Sequence, residues 1–283
     1  MMKLTLLGTG RMGLPMARRL CQAGHQVHVW NRSADKAQPL VADGATVHAG
    51  LATAVAAGDI VISLLENGPV VASVLFEQGA AAAMRPGTLF VDMASIKPAE
   101  AREHAARLAE RGVRHLDAPV SGGTVGAEAG TLAIMAGGEA ADFARALPVL
   151  QVLGRATHVG PHGAGQLAKL ANQMIVGITI GAVAEALLLC ERGGADAAQV
   201  REAIGGGFAQ SRILELHGER MVQRDFAPRA RMTVQLKDLR NALDTAQAMG
   251  FEAPITAALE QLYADGVAHG DSELDHSGLF VEL

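Results

Sequence analysis

The chain has 283 residues with 24 Lys and Arg against 29 Asp and Glu, a formal charge of -5 that argues against a general binder of nucleic acid or anionic membranes. With 49% apolar, 19% charged and only 3% aromatic residues, it has the composition of a soluble globular protein, long enough for one large domain or two ordinary ones. Its two cysteines, Cys21 and Cys190, fall in no CxxC or Cys/His pattern, which excludes a disulfide framework and a cysteine-based zinc site and suits a reducing compartment.

Met1 to Gly8 leads directly into a glycine motif, without the apolar core and small-residue cleavage site of a secretory leader, so a cytoplasmic protein is expected. The apolar run Lys3–Leu7 reads as a strand ending at Gly8-Thr9-Gly10-Arg11-Met12-Gly13, followed by a helical pattern from Leu14 to Ala23 with Gly24 as its C-cap. Gln26–Trp30 is a second strand. Strand, GxGxxG, helix, strand is the context in which three glycines point to a dinucleotide. Gly8 serves the tight turn, Gly10 lets the backbone approach a pyrophosphate, and Gly13 lets helix and strand pack closely; the helix N-terminus then faces the phosphates. At the end of the second strand stands Asn31-Arg32-Ser33 rather than an acid. An acid would hold a ribose 2′-hydroxyl and repel a 2′-phosphate, whereas Arg32 can pair with phosphate, so NADP is favoured with NAD as a second option.

Further strands are expected at Ile60–Leu65, with Leu64 and Leu65 facing the cofactor, at Leu89–Asp92 and at His115–Asp117, separated by helical patterns. Such alternation indicates a doubly wound parallel sheet in an α/β, Rossmann-type domain, with ligands beyond the carboxyl ends of the strands. Ser95 lies there, as does Ala118-Pro119-Val120-Ser121-Gly122-Gly123. Ser121 offers a hydroxyl, and Gly122 and Gly123 leave backbone N–H groups open to a carboxylate; the same residues could equally shape a plain turn. The pair Thr131–Met135 and Ala156–Val159 should extend the sheet around a helix at 140–153.

Gly160-Pro161-His162-Gly163 breaks the pattern, which sets domains at 1–162 and 163–283. Helices are expected at 164–192, 196–204, 210–222, 228–249 and 254–268. Leu170–Cys190 is apolar enough to suggest a membrane span, but Asn172, Gln173 and Glu185 interrupt it, so a buried core helix is expected and no membrane partner. Lys169 is a cation at the head of that run, with Asn172 and Gln173 three and four residues further along one helical face. The ten histidines show no HExxH or other metal-ligand spacing, and no metal is expected.

Four stretches together resemble the β-hydroxyacid dehydrogenase family: Gly8–Met16, Asp117–Gly123, Gly163–Asn172 and Lys237–Leu239. The segments 206–214 and 274–277 look closer to its tartronate semialdehyde (2-hydroxy-3-oxopropionate) reductases than to its 3-hydroxyisobutyrate dehydrogenases. The resemblance implies an N-terminal Rossmann domain, a long interdomain helix and an all-α domain for substrate binding and oligomerisation, in a homodimer or homotetramer. It also implies Lys169 as the catalytic lysine, Ser121, Gly122 and Gly123 as the substrate-carboxylate loop, and Ser95 and Lys237 along the cofactor cleft. Several members place an assisting asparagine four residues after the lysine. Here that position is Gln173, so Asn172 is named with Gln173 in reserve. The implied activity is NADPH-dependent reduction of a small semialdehyde to a β-hydroxy acid. The alternatives are a 3-hydroxyisobutyrate dehydrogenase, a glyoxylate or succinic semialdehyde reductase, an imine reductase, and a non-catalytic NADP-binding protein, whose known examples tend to lose the lysine.

Overall fold

The computed structural model describes residues 1–283, which divide into two compact units, Met1–Lys169 and Leu170–Leu283. The first unit is built on nine strands: β1 (Lys3–Leu7), β2 (Gln26–Trp30), β3 (Thr46–Val47), β4 (Ile60–Ser63), β5 (Leu89–Asp92), β6 (Arg114–Asp117), β7 (Val120–Ser121), β8 (Leu132–Gly138) and β9 (Gly154–Gly160). Their order is 3-2-1-4-5-6-8-7, with β9 beside β8. The pairings β1 with β2 and β4, β2 with β3, β4 with β5, and β5 with β6 are all parallel. The central strands are rich in apolar residues because the period of two sends alternate residues into cores on opposite faces. Leu4, Leu6, Ile60, Ile62, Leu89 and Val91 join one core, and Leu7, Val61 and Phe90 the other. Helices Gly13–Gln22, Leu51–Ala57, Pro98–Ala109 and Ala140–Leu153 link the strands. Chain order reverses between β1 and its neighbours β2 and β4, so the switch point lies at the carboxyl end of β1, where the glycine motif begins.

The α/β, parallel-dominated reading of the sequence therefore holds, with one refinement. β8 runs antiparallel to β6, through Leu116 against Gly138 and Asp117 against Gly137, while β9 runs parallel to β8. Val120–Ser121 forms a short strand antiparallel to β8, where the sequence suggested only a loop. Hydropathy reports burial of a strand but carries no information on its direction.

The second unit is helical. The long helix Ala164–Arg192 starts in the first unit, and Ala197–Ile204, Arg212–Gln223, Met232–Ala248 and Pro254–His269 follow. Ile180, Val183, Leu187, Leu214, Met221, Leu236, Leu239, Tyr263 and Phe280 form their shared core. The fourth helix begins at Met232 rather than at 228. The backbone at 230–232 is drawn into bonds with the 274–276 segment: Met232 N–H donates to Leu274 O, His276 N–H to Ala230 O at 2.7 Å, and Ala230 N–H to Asp275 Oδ2 at 3.0 Å. The expectation of a buried core helix for the long apolar run is corrected too. It is long and apolar enough to cross a membrane, yet only 33% of its most apolar stretch is buried, and Ile175 (66% exposed) and Leu189 (72%) stand out from it.

Candidate active site

The glycine turn follows β1. Gly8 has φ of +97°, a left-handed conformation that favours glycine, and its N–H donates to Trp30 O at 2.9 Å. A Cβ on Gly8 would sit 2.5 Å from Leu64 O and 3.1 Å from Leu65 Cδ2, so these two leucines wall the turn from β4. A Cβ on Gly13 would collide with Gly8 O. At Gly10 nothing lies within 4 Å of such an atom. Two glycines are thus demanded by packing, and the third faces open space that a phosphate can approach. The helix from Gly13 has no side-chain cap and no acid in its first turn, leaving the positive end of its dipole facing that space. These features fit a dinucleotide pyrophosphate.

Asn31 braces the turn: its Oδ1 accepts from Thr9 N–H at 3.0 Å, and its Nδ2 donates to Ser33 O at 2.9 Å. Arg32 and Ser33 are exposed beside it, so the guanidinium is accessible to a 2′-phosphate. Arg11 and Met12 complete the connection between Gly10 and the helix.

At the carboxyl ends of β5 and β6 stand Asp92 and Asp117, both fully buried. Asp92 Oδ1 accepts from Ser63 Oγ at 2.8 Å and Ala94 N–H at 3.0 Å, while Oδ2 has no partner. Burial pushes its carboxyl up to about 7 against these two hydrogen bonds. Asp117 receives Gly163 N–H at 2.8 Å on Oδ1 and Gln166 N–H at 2.9 Å on Oδ2, so a strand-end carboxylate holds the first turn of the long helix. Burial raises its carboxyl too, and the two backbone donors act against the rise.

Gln166, completely buried, makes the next link. Its Nε2 donates to Ala94 O at 2.8 Å, and its Oε1 accepts from Ile96 N–H at 3.0 Å. The amide therefore grips the backbone on both sides of Ser95. Lys169 follows one helical turn later and is only 8% exposed. The backbone around Ser95 is thus tied to the helix that carries Lys169. Composition and motif spacing singled out neither Gln166 nor the roles of Asp92 and Asp117. Acidic residues closing two adjacent strands were the available signal.

Ser121 ends β7, and Gly122 and Gly123 adopt φ of +134° and +62°. Both glycines are exposed, and nothing lies within 4 Å of a Cβ built on Gly123, leaving room for a substrate anion. In the second unit, Asn172 Nδ2 donates to Gln173 Oε1 at 2.9 Å, and Gln173 Nε2 donates to Asp238 Oδ2 at 2.7 Å. Gln235 Nε2 donates to the Gln173 carbonyl at 3.0 Å. Lys237 Nζ lies 3.0 Å from Asp238 Oδ1. Gln173 is therefore an internal brace of this unit, with both ends of its amide engaged.

Two family models match the chain. One describes the NAD binding domain of 6-phosphogluconate dehydrogenase and covers residues 3–160; the other describes the NAD-binding of NADP-dependent 3-hydroxyisobutyrate dehydrogenase and covers 163–282. The chain is 45% identical to the 2-hydroxy-3-oxopropionate reductase of Escherichia coli K12, over 100% of this chain and 97% of that one. Among solved structures, the 3-hydroxyisobutyrate dehydrogenase of Mycobacterium tuberculosis with L-serine superposes with a TM-score of 0.91 at 35% identity, covering 99% of both chains. A reductive aminase from Aspergillus terreus, in complex with NADPH and ethyl-5-oxohexanoate, reaches a TM-score of 0.66 at 27% identity, over 98% of each chain.

Proposed function

Because the chain belongs to the β-hydroxyacid dehydrogenase family of NAD(P)-dependent oxidoreductases, we propose that it reduces a small semialdehyde to a β-hydroxy acid with NADPH, as a 2-hydroxy-3-oxopropionate reductase does. The observation that carries this reading is the burial of Lys169 on a firmly held helix. A buried lysine lies on a helix whose first turn is anchored through Gln166 and Asp117 to the carboxyl ends of β5 and β6, in the same unit as the glycine turn and the 121–123 loop.

Gly8, Gly10 and Gly13, with Arg11, Met12 and Thr9, are the pyrophosphate site. Leu64, Leu65 and Ser95 contribute to holding the cofactor, and Arg32 with Ser33 selects the 2′-phosphate. When bound, the nicotinamide supplies the hydride. Lys169 as ammonium gives its proton to the substrate oxygen as that oxygen becomes an alkoxide, and as neutral amine takes it back in the oxidative direction. The Ser121 hydroxyl and the N–H groups of Gly122 and Gly123 bind the substrate carboxylate and so present the aldehyde end to Lys169. Asn172, three residues after Lys169 on the same helix, is the assisting amide, with Gln173 in reserve. We also propose a homo-oligomer whose interface covers the exposed apolar face around Ile175 and Leu189, in a reducing aqueous compartment.

The test is a panel of kcat/KM values for tartronate, methylmalonate and succinic semialdehydes and glyoxylate, with NADPH and NADH. Tartronate semialdehyde with NADPH should lead, and no NADPH oxidation with any of the four would overturn the reading. Lys169→Ala should lower turnover by about 10²–10⁴-fold while NADPH binding persists. Light scattering after gel filtration checks the assembly, which a monomer at micromolar concentration would refute.

A further inference from the structure

Beneath the first turn of the long helix lies a cluster whose two imidazoles have no part in hydride transfer. His115 and Asp117 are two residues apart on β6 and share one face of the strand, and His162 joins them from the turn between β9 and the long helix. One ligand atom from each residue can be chosen so that all lie within 4.8 Å of one another. His115 is 2% exposed, and neither of its ring nitrogens has a hydrogen-bond partner; the buried Nδ1 of His162 has none either. The two rings approach with centroids 5.6 Å apart, and His115 also stacks near Phe90 at 6.1 Å. Buried polar atoms are rarely left unpaired in folded proteins, so unpartnered imidazole nitrogens on two rings beside one carboxylate call for an occupant.

We propose that His115, Asp117 and His162 form a binding site for a divalent transition-metal ion of the Zn²⁺ type. Two imidazoles and one carboxylate are a donor set suited to Zn²⁺, and three protein ligands leave a fourth position for water. Each Asp117 oxygen accepts one backbone N–H, at 2.8 and 2.9 Å, and an ionised carboxylate oxygen retains a second lone pair for a metal. Metal–ligand bonds of about 2.0–2.2 Å hold tetrahedral donors well inside the 4.8 Å that bounds these three, so binding calls for any slack to be closed by a small movement. His162 can supply that movement, since it is half-buried and lies in a turn beside exposed Pro161. It also gives the ion its path from solvent.

A second cluster, His217, Asp275 and His276, meets the same distance criterion but is chemically different. There Arg220 Nη1 stands 3.2 Å from both His217 Nδ1 and Asp275 Oδ1, so a fixed cation already occupies the place of a metal. Ser277 Oγ at 2.6 Å and the N–H of Ala230 use further Asp275 lone pairs. The contrast singles out the 115–117–162 group.

The experiment uses the full chain, stripped with chelator and titrated with Zn²⁺ by calorimetry and with Co²⁺ by visible absorption. The wild type should bind one Zn²⁺ per chain and show the d–d bands of low-coordinate Co²⁺. His115→Phe, which keeps a ring against Phe90, and His162→Ala should each weaken binding by at least about 100-fold, since loss even of an outer-shell partner costs about 10–100-fold. Thermal denaturation with and without Zn²⁺ supplies a readout independent of catalysis: the ion should raise the wild-type Tm and leave both variants unmoved. Equal binding by the wild type and the variants would place the ion elsewhere, for instance at His28 and His48 or at His269 and Glu282, and would overturn the proposal. So would the absence of any stoichiometric Zn²⁺ binding by a wild type that turns over normally.

Discussion

Replacing Gln166 by Leu removes the amide that grips both sides of Ser95 while keeping much of its volume. Two buried backbone groups, Ala94 C=O and Ile96 N–H, then lose partners now at 2.8 and 3.0 Å. Each unpaired buried group costs about 1–3 kcal/mol, so the pair costs about 2–6 kcal/mol. That is a large part of the roughly 5–15 kcal/mol by which domains are stable, yet short of unfolding most of them. At about 2–4 °C per kcal/mol for a domain of this size, the Tm should fall by about 4–24 °C. The same change releases the Ser95 segment from the helix turn carrying Lys169. A misplacement of about 1 Å can cost about 10²-fold, and the loss should appear in kcat more than in the KM for the aldehyde. Gln166→Glu should do little better. One carboxylate oxygen can still accept from Ile96 N–H, but the other meets Ala94 O lone pair to lone pair. Calorimetric melts and steady-state kinetics on both variants provide the assay. A Gln166→Leu protein with the Tm and kcat of the wild type would refute the clamp.

Other consequences separate packing from binding. Gly10→Ala, whose new methyl meets open space, should leave the Tm within about 2 °C of the wild type and weaken NADPH binding by at least about 10-fold; Gly13→Ala, which drives a methyl into Gly8 O, should lower Tm as well. Comparing melts with fluorescence titrations of NADPH distinguishes the two. Arg32→Ala removes one charge-assisted contact worth about 1.5–3 kcal/mol, so NADPH affinity should drop about 10–100-fold with NADH affinity nearly unchanged. An unaltered NADPH to NADH ratio would exclude Arg32 as the selector. Asp92 bears on pH. Its folded-state value, raised by burial to about 7, lies above its unfolded one, so its stabilising contribution is complete below about pH 4 and is lost as pH rises through about 7. Asp92→Asn should therefore gain stability relative to the wild type between about pH 5 and 8, measured by urea unfolding; parallel profiles would show that Asp92 does not titrate there.

Much of this protein was legible in its residues. Lys3–Leu7, Gln26–Trp30 and Leu89–Asp92 have the bounds their apolar runs suggested, and Ala164–Arg192 is one helix from end to end. Local chemistry determines these features: β-branched and leucine-rich runs buried on both faces, glycines with required dihedrals, and the 3.6-residue period. The cofactor motif was readable for the same reason, because a turn, an approach and a helix start lie within six consecutive residues.

What the sequence by itself could not determine is every relation between residues far apart in the chain. Strand direction for β8, the two-residue strand at Val120–Ser121 and the exposed face of the long helix depend on what lies across the sheet or beyond the helix. Hydropathy treats a core, a membrane and a subunit interface alike. Gln166 looked like a neutral helix residue until Ala94 and Ile96, some seventy positions earlier, were found at its amide. His115 and His162 showed no ligand spacing along the chain, yet the fold sets them around one carboxylate. Hydrogen bonding and coordination act over about 2–3 Å of space, whatever the separation in sequence, so only the tertiary structure decided which side chains share a site.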